Sequence, residues 1–540
     1  MQFKNSLSFI NEFFSSSTYQ IRNVYLKSSI YNNKISKIVI SNISYKPSIK
    51  ILSCIIKYDK KKIKIDEIDQ NKLWENKLLN EKDLEKLNNF YWLFSIDLKS
   101  STQITQSIIE KWIDKNDQYN SKSWQIDTLS KRLISWIANS KLSYDKSDLK
   151  YKNKFNFSIN KQINHLVNEI NQSKLVDNKL LGCTAIITTG LAYENEKFLN
   201  YGLNLLKDII NKSFDNEYFP NTRSIRQLNF YLKYFVLMRE LLKESFNEIP
   251  EYLDEIIFYL GKSYTTFTKL ETSLLFNGNH QNDLKEFNKY LSHHKYKFDS
   301  IKNEVGGYAL LKDKDFTLAM DIGSSPSSKF SNNYQSGALS FEFFYKGEKL
   351  VSNSGYYQDY KNKLNLISKS TASHSTLTLD SHSSCSFKKN EKYKILESSL
   401  KTIKKSIVNE KNYWLIKASH NGYLKKFGST HERCIELFLE NKKLVGKDKL
   451  ISKRELIAKK FDIRFHMMPG VKLTKTLDNK TILIEIKNSG WKFSTDCETI
   501  NIESGLYFGN KNSFSENQNI CLSGSIKNID QEIKWEFEKI

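Results

Sequence analysis

The sequence predicts a multidomain α+β chain, helical up to about residue 300 and an antiparallel β-sandwich beyond it. Three observations carry this reading. Apolar residues recur at intervals of three and four before residue 300, and the period falls to two after about residue 304. The third is length: 540 residues allow two to four domains at roughly 150 each. With 39% hydrophobic and 13% aromatic residues, the chain has the material for large cores and is not a disordered polyelectrolyte.

Taken in order, residues 1–80 alternate between strand-like and helical pieces and form a mixed N-terminal segment. Residues 81–304 form the helical domain. Gln103 to Ile113 and Leu180 to Tyr193 are amphipathic, and Asp127 is placed to cap a helix whose Leu129, Leu133, Trp136 and Ile137 share a face. Leu228 to Leu242 and Tyr252 to Leu260 follow, the second just after Pro250, a helix-start signal. Residues 305–540 form the sandwich. Leu339 to Tyr345, Ser375 to Leu379, Thr481 to Lys487 and Ile533 to Glu538 alternate as strands do, with turn chemistry at Gly306-Gly307, Asn353-Ser-Gly355 and Pro469-Gly470. Many short strands without intervening helices favour antiparallel pairing. No short-period repeat marks a solenoid.

Charge narrows the partners. The 83 Lys and Arg exceed the 60 Asp and Glu by 23, which suits nucleic acid, a membrane surface or an acidic substrate. Arginine is scarce beside lysine, and arginine is the residue for bidentate phosphate recognition, so nucleic acid is not the expected partner. The densest lysine cluster, Lys60 to Lys64, reads as a solvated face. No apolar run is long enough for an integral membrane segment. Six cysteines are scattered singly (Cys54, Cys183, Cys385, Cys434, Cys497, Cys521), with no pair spaced for zinc or a disulfide framework. Met1 to Phe14 is broken by Asn5, Asn11 and Glu12, so it lacks the apolar core of a secretory signal and predicts cytoplasmic residence.

The most informative stretch runs from Asp321 to Phe387. It holds Asp321-Ile-Gly323, then Asn333-Tyr-Gln-Ser-Gly-Ala-Leu-Ser-Phe-Glu342, Val351-Ser-Asn-Ser-Gly355 and Thr371-Ala-Ser-His-Ser-Thr-Leu-Thr-Leu-Asp380. Order and spacing resemble the C-terminal sandwich of the heparinase II/III-like polysaccharide lyases. Asn421-Gly-Tyr423, His431-Glu-Arg433, Arg464-Phe-His466 and Trp491 extend the likeness. The resemblance implies an incomplete α/α toroid ahead of the sandwich, an acidic polysaccharide as partner, and the cell envelope as an alternative location. It also implies β-elimination: a donor neutralises the uronate carboxylate, a base takes the C5 proton, and an acid protonates the leaving oxygen at C4.

Against that pattern the residues depart. The family's two sandwich His positions fall on Asn333 and Gln335, and the residues at its metal-ligand positions are Gln335, Asn353 and His374. Two amides and one imidazole make a poor zinc set, so no metal and no cofactor are expected; a hydrogen-bonded Gln–Asn–His cluster filling the space is the expectation. The family's Asn-His pair maps near Asp177-Asn178-Lys179, keeping Asn178 alone, and its Arg maps onto Arg223 in the loop Tyr218 to Arg226. The catalytic candidates are therefore His280, in the literal Asn277-Gly-Asn279-His280, with His374 and Tyr334. The substrate-binding candidates are Asn178, Arg223, Asn277, Asn279, Asn333 and Gln335. Strand alternation turns Tyr334 away from its two neighbours and toward the core. Trp112, Trp124 and Trp136 read as core at helical spacing, His420 and His431 as structural, and His293-His294 as lacking a carboxylate at ligand spacing. Three functions stay open at this point: a lyase, a catalytically degenerate relative that binds polysaccharide without cleaving it, and a basic nucleic-acid-associated protein.

Overall fold

The computed structural model describes residues 20–48, 52–53, 74, 80–95, 102–268, 270, 272–281, 283–299, 302–390, 393–452, 460–487, 489–510, 513–526 and 529–540. The leader reading of Met1 to Phe14, the lysine run 60–64 and Cys54 lie outside these residues. The chain divides into two units, and the division is not a single cut. One unit runs through Ser213 and adds Phe230–Phe258 and Lys285–Tyr296; the other joins Phe214–Asn229 and Tyr259–Leu284 to Lys297–Ile540.

The first unit is helical. Its principal helices are Thr102–Lys115, Ile126–Ala138, Leu149–Glu169, Val176–Ala192 and Glu196–Ser213. Asp148 caps the third of these, accepting the Tyr151 N–H at 2.7 Å. Asp127 is not a cap. The helix starts at Ile126, which places Asp127 in the first turn, where a carboxylate offsets the helix dipole and pairs with Lys131 at 3.4 Å. Trp112, Trp124 and Trp136 are buried, and the Arg132 guanidinium lies 4.0 Å from the Trp112 ring centre. They are core residues and expose no ring face to a sugar. His294 does meet a carboxylate, which sequence spacing alone did not reveal: Glu240 lies 3.8 Å from its Nδ1, brought there by the fold. Among the described residues no helix is long and apolar enough to cross a membrane.

The second unit is an antiparallel sandwich. An eight-stranded sheet runs in the order Lys472–Lys475, Thr481–Ile486, Ser489–Thr495, Asp530–Lys539, Lys443–Ser452, Ser429–Phe438, Tyr413–His420 and Thr402–Asn409. A four-stranded sheet runs Thr499–Tyr507, Ser515–Ser525, Lys460–His466 and Leu377–Leu379. A five-stranded sheet runs in sequence order through Glu304–Val305, Tyr308–Lys312, Phe316–Asp321, Phe341–Tyr345 and Glu348–Val351. Inward residues of the three sheets share one core, with Phe341 stacked on Trp535 at 5.4 Å and Phe465, Phe493 and Phe537 around them. Strand Ser429–Phe438 alternates buried and half-buried residues along its length, the period-two signature of a sheet with one wet face. Two expected strands start late. Leu339 adopts a left-handed backbone (φ 60°), so pairing begins at Phe341, and a short helical turn through Ser373 delays the next strand to Leu377.

Inside the sandwich, Asp448 accepts both nitrogens of Arg433 (2.8 and 2.9 Å), the His431 imidazole (2.7 Å) and the Trp535 indole (2.8 Å), all buried. Arg433 also donates to the carbonyls of Leu339 and Ser375, tying the two segments that flank the candidate site. His420 packs edge-on against His431 at 5.3 Å. Both histidines are part of this buried structural network.

Candidate functional site

Most of the sequence-selected residues fall on three stretches of the sandwich unit: the loop 272–281, residues 331–337 and residues 352–374. Asn178 lies in the other unit, in the first turn of the helix Val176–Ala192.

Arg223 precedes the helix Ile225–Glu244 with a left-handed backbone (φ 56°), which turns its side chain onto the sandwich. Nε donates to the Gly306 carbonyl (3.0 Å), Nη1 to Gly323 (3.3 Å) and Ser324 (3.1 Å), and Nη2 to Gly307 (2.9 Å) and Asp321 Oδ1 (2.6 Å). A guanidinium has five N–H donors, and all are engaged. Burial works against the charge, but Asp321 outweighs it and holds the pKa above the ordinary arginine value. Asn277 completes the lock: its amide donates to Asp321 Oδ2 (3.1 Å) and to the Tyr308 hydroxyl (2.5 Å), which in turn donates to the Arg223 carbonyl (2.5 Å). Arg223 and Asn277 are thus clamped together within the fold, and Arg223 has no donor left for a substrate carboxylate.

Gln335 is a hub. Buried completely, it accepts the Gly278 N–H (2.9 Å) and donates to the carbonyls of Gly355 (2.9 Å) and Ser368 (2.5 Å), joining the loop to two later segments. Gly278 must be glycine: its φ is +79°, and a Cβ would meet Asn333 Cβ at 2.9 Å. Gly355 has φ +83° and would press a Cβ into the Phe508 backbone at 2.8 Å. Asn279 fastens its own loop through the Leu274 carbonyl (2.6 Å). The loop is further bolted down by Glu342, which accepts the Leu275 N–H (3.0 Å) and pairs with buried Lys349 (2.6 Å).

His374 and Tyr334 sit beneath this surface. His374 is 1% exposed; Nδ1 donates to the Ser370 carbonyl (2.8 Å), Nε2 has no partner, and burial lowers the pKa to about 4. Tyr334 is equally buried, in a small apolar cluster with Ala338, Cys385, Leu396 and Leu400, and its hydroxyl is unpartnered. The expected Gln–Asn–His cluster is not bonded as a unit: Gln335 bonds backbone, and Asn353 donates to Glu342 (3.2 Å) while accepting the Ser375 N–H (3.0 Å). That donor set does not fit a divalent cation, since both amides are already engaged and the imidazole stands alone.

Beside the hub lie half-buried His280, Asn333 and Gln358 with the buried Tyr356. His280 Nδ1 lies 3.1 Å from the Gln358 amide nitrogen. Asn333 accepts the Tyr356 hydroxyl (3.2 Å), and that hydroxyl accepts the Asn365 amide (3.1 Å). Burial raises the Tyr356 phenol above its ordinary pKa, while Asn365 and the nearby Arg226 charge pull it the other way. Tyr356, Gln358 and Arg226 are the residues sequence reading missed. The Asn353-Ser-Gly355 turn immediately before Tyr356 was the available signal, because binding and catalytic residues are often carried on loops.

Residues 297–536 match the family model described as heparinase II/III-like, C-terminal. Heparinase III shares the fold with a TM-score of 0.71 at 14% identity, over 98% of this chain and 91% of that one. Heparan sulfate lyase HepC from Pedobacter heparinus, as a mutant, gives 0.66 at 12% over 94% and 85%. The chondroitin AC lyase of Streptomyces coelicolor, in complex with chondroitin sulphate, gives 0.52 at 9% over 91% and 82%. These likenesses establish the toroid-plus-sandwich fold. The Ycf2 protein of Physcomitrium patens is 27% identical over 352 residues, 62% of this chain, and the chain spans only 14% of its length.

Proposed function

We propose, from the match of residues 297–536 to the heparinase II/III-like C-terminal family, that the chain cleaves a uronate-containing acidic polysaccharide by β-elimination. The observation that supports this is the pairing of half-buried His280 with Gln358 and of half-buried Asn333 with the buried Tyr356, beside the hub built by Gln335. Asn333 Oδ1 accepts the Tyr356 hydroxyl, and its Nδ2 is the donor assigned to neutralise the uronate carboxylate. His280 takes the C5 proton, the C–H electron pair forms the C4–C5 double bond, and the C4–O bond breaks. Tyr356, kept protonated by burial, gives its proton to the leaving oxygen. Each positioned acid or base contributes about 10²–10⁴-fold in rate.

A second reading, binding without cleavage, is favoured by one detail. The Gln358 amide nitrogen faces His280 Nδ1, so the neutral ring carries its proton on Nε2 and is a donor there. Base action requires Gln358 to turn its oxygen to Nδ1.

The test is incubation with alginate, heparan sulfate, chondroitin and hyaluronan, following the ultraviolet absorbance of the unsaturated uronate. Turnover on one polymer, lost in His280→Ala and lowered at least 100-fold in Tyr356→Phe, supports the lyase reading. Unchanged turnover in His280→Ala removes His280 as the base. Tight binding with no absorbance change on any polymer replaces cleavage by the second reading.

A further inference from the structure

We propose that the segment through residues 20–39 docks on the anionic surface of a lipid bilayer. The inference stands apart from the polysaccharide reading and concerns where the protein is held.

The segment is tied down by polar groups and turns apolar groups outward, the reverse of an ordinary surface segment. Residues 20–26 are helical, and Ser28 caps a second short helix, Ser29–Ile35, by accepting the Tyr31 N–H (3.2 Å). On the inner side, the Tyr31 hydroxyl meets His165 Nδ1 (2.8 Å) and Asn164 donates to the Ile35 carbonyl (2.8 Å). Asn160 accepts the Val39 N–H (2.9 Å) and donates to the Lys37 carbonyl (2.8 Å), while Arg22 pairs with Glu169 (2.8 Å). All four partners lie on the helix Leu149–Glu169, so the segment is held firmly in register on one support.

Its outer side carries Ile21, Val24, Ile30 and Ile38, each between 71% and 73% exposed. Ile21 and Val24 stand three apart on one helix and share a face. An isolated exposed aliphatic residue is ordinary. Four of them on two short helices and the turn that follows mark a surface made to be covered.

Charge decides what covers it. From residue 20 to residue 48 there are five basic residues and no acidic one. Arg22 and Lys46 pair with Glu169 and Asp145. Lys27, Lys34 and Lys37 are exposed and interleave with the apolar residues along the segment. A second copy of this chain would bring like charges together across a two-fold axis. Nucleic acid would call for arginine at base edges and phosphates, not for exposed isoleucine. An anionic bilayer satisfies both parts: lysine meets the phosphate headgroups, and the aliphatic side chains enter the boundary with the acyl chains.

Co-sedimentation of the full chain with vesicles tests this. One set is phosphatidylcholine alone and the other is equal parts phosphatidylcholine and phosphatidylglycerol. Wild type is expected to bind the anionic vesicles and to release as salt is raised. Replacing Lys27→Gln, Lys34→Gln and Lys37→Gln together is expected to lower that affinity about 100-fold, roughly fivefold for each lysine. Replacing Ile21→Gln, Val24→Gln and Ile30→Gln together is expected to lower it at least about tenfold. Both variants change exposed positions and are expected to keep the wild-type melting temperature. Three results overturn the proposal. The first is no binding of wild type to either vesicle. The second is binding that the lysine variant loses and the apolar variant keeps, which is charge attraction alone. The third is a wild-type dimer that the apolar variant converts to monomer without any vesicle binding, which gives the surface to a second copy. Turnover of any polysaccharide is expected to be the same in all three proteins, so the lyase reading stands or falls separately.

Discussion

Arg223 shows how far a residue's type can mislead about its work. Its position matches a substrate-binding arginine, yet its five donors are closed by four backbone carbonyls and Asp321. A motif shows which donors a residue owns and is silent on which are already taken. The same holds for Gln335, whose amide stitches three segments together, and for Tyr334, which is buried in a small apolar cluster although residues 331–340 form no strand in which side chains could alternate. Asp321→Ala leaves a buried guanidinium without its counter-ion and is expected to cost about 3–5 kcal/mol, read as a lowered urea midpoint. His280→Ala, at a half-buried loop position, is expected to stay within about 0.5 kcal/mol of wild type in the same measurement.

At the scale of elements, period decided what was legible. Helix 102–115 and the strands around 481–486 and 530–539 follow the spacing of apolar residues, because burial on one face imposes that spacing, whereas helix 176–192, expected to be amphipathic, is buried all round from Leu180 to Ala192. Ends were less legible, since they depend on local backbone geometry such as the left-handed Leu339. The candidate site was legible as a set of segments and not as a set of roles. Tyr356 and Gln358 join Asn333 and His280 only through hydrogen bonds between residues far apart in sequence. Packing between elements is equally invisible. On the strand Lys443–Ser452, Gly446 lies under the Trp535 indole, where a Cβ would strike the ring. Gly446→Ala is therefore expected to lower stability by about 1–3 kcal/mol, visible as a drop in melting temperature.

For the molecule as a whole, the surplus of 23 positive charges is not gathered on the broad face of the eight-stranded sheet. There lysines alternate with carboxylates, as in Lys417–Glu432 at 2.9 Å, Lys447–Glu436 at 3.2 Å and Lys443–Glu536 at 2.8 Å. Exposed pairs of this kind contribute little to stability. Buried histidines matter more for the response to pH. Burial lowers His374 to about 4, and His165 and His466 to about 3, below the unfolded value near 6.5. The unfolded chain then binds more protons than the folded one across that window, so stability falls as pH drops from about 6.5 toward 4. Thermal melts at pH 7 and pH 5 are expected to show this loss, and a flat profile across the window contradicts it. The clamp at Arg223 also shows that the sandwich unit is discontinuous in sequence. Residues 214–229 and 259–284 precede in the chain the strands they are grouped with, and Arg223 is fastened to Asp321, so the sandwich unit is completed by segments drawn from inside the helical part of the sequence.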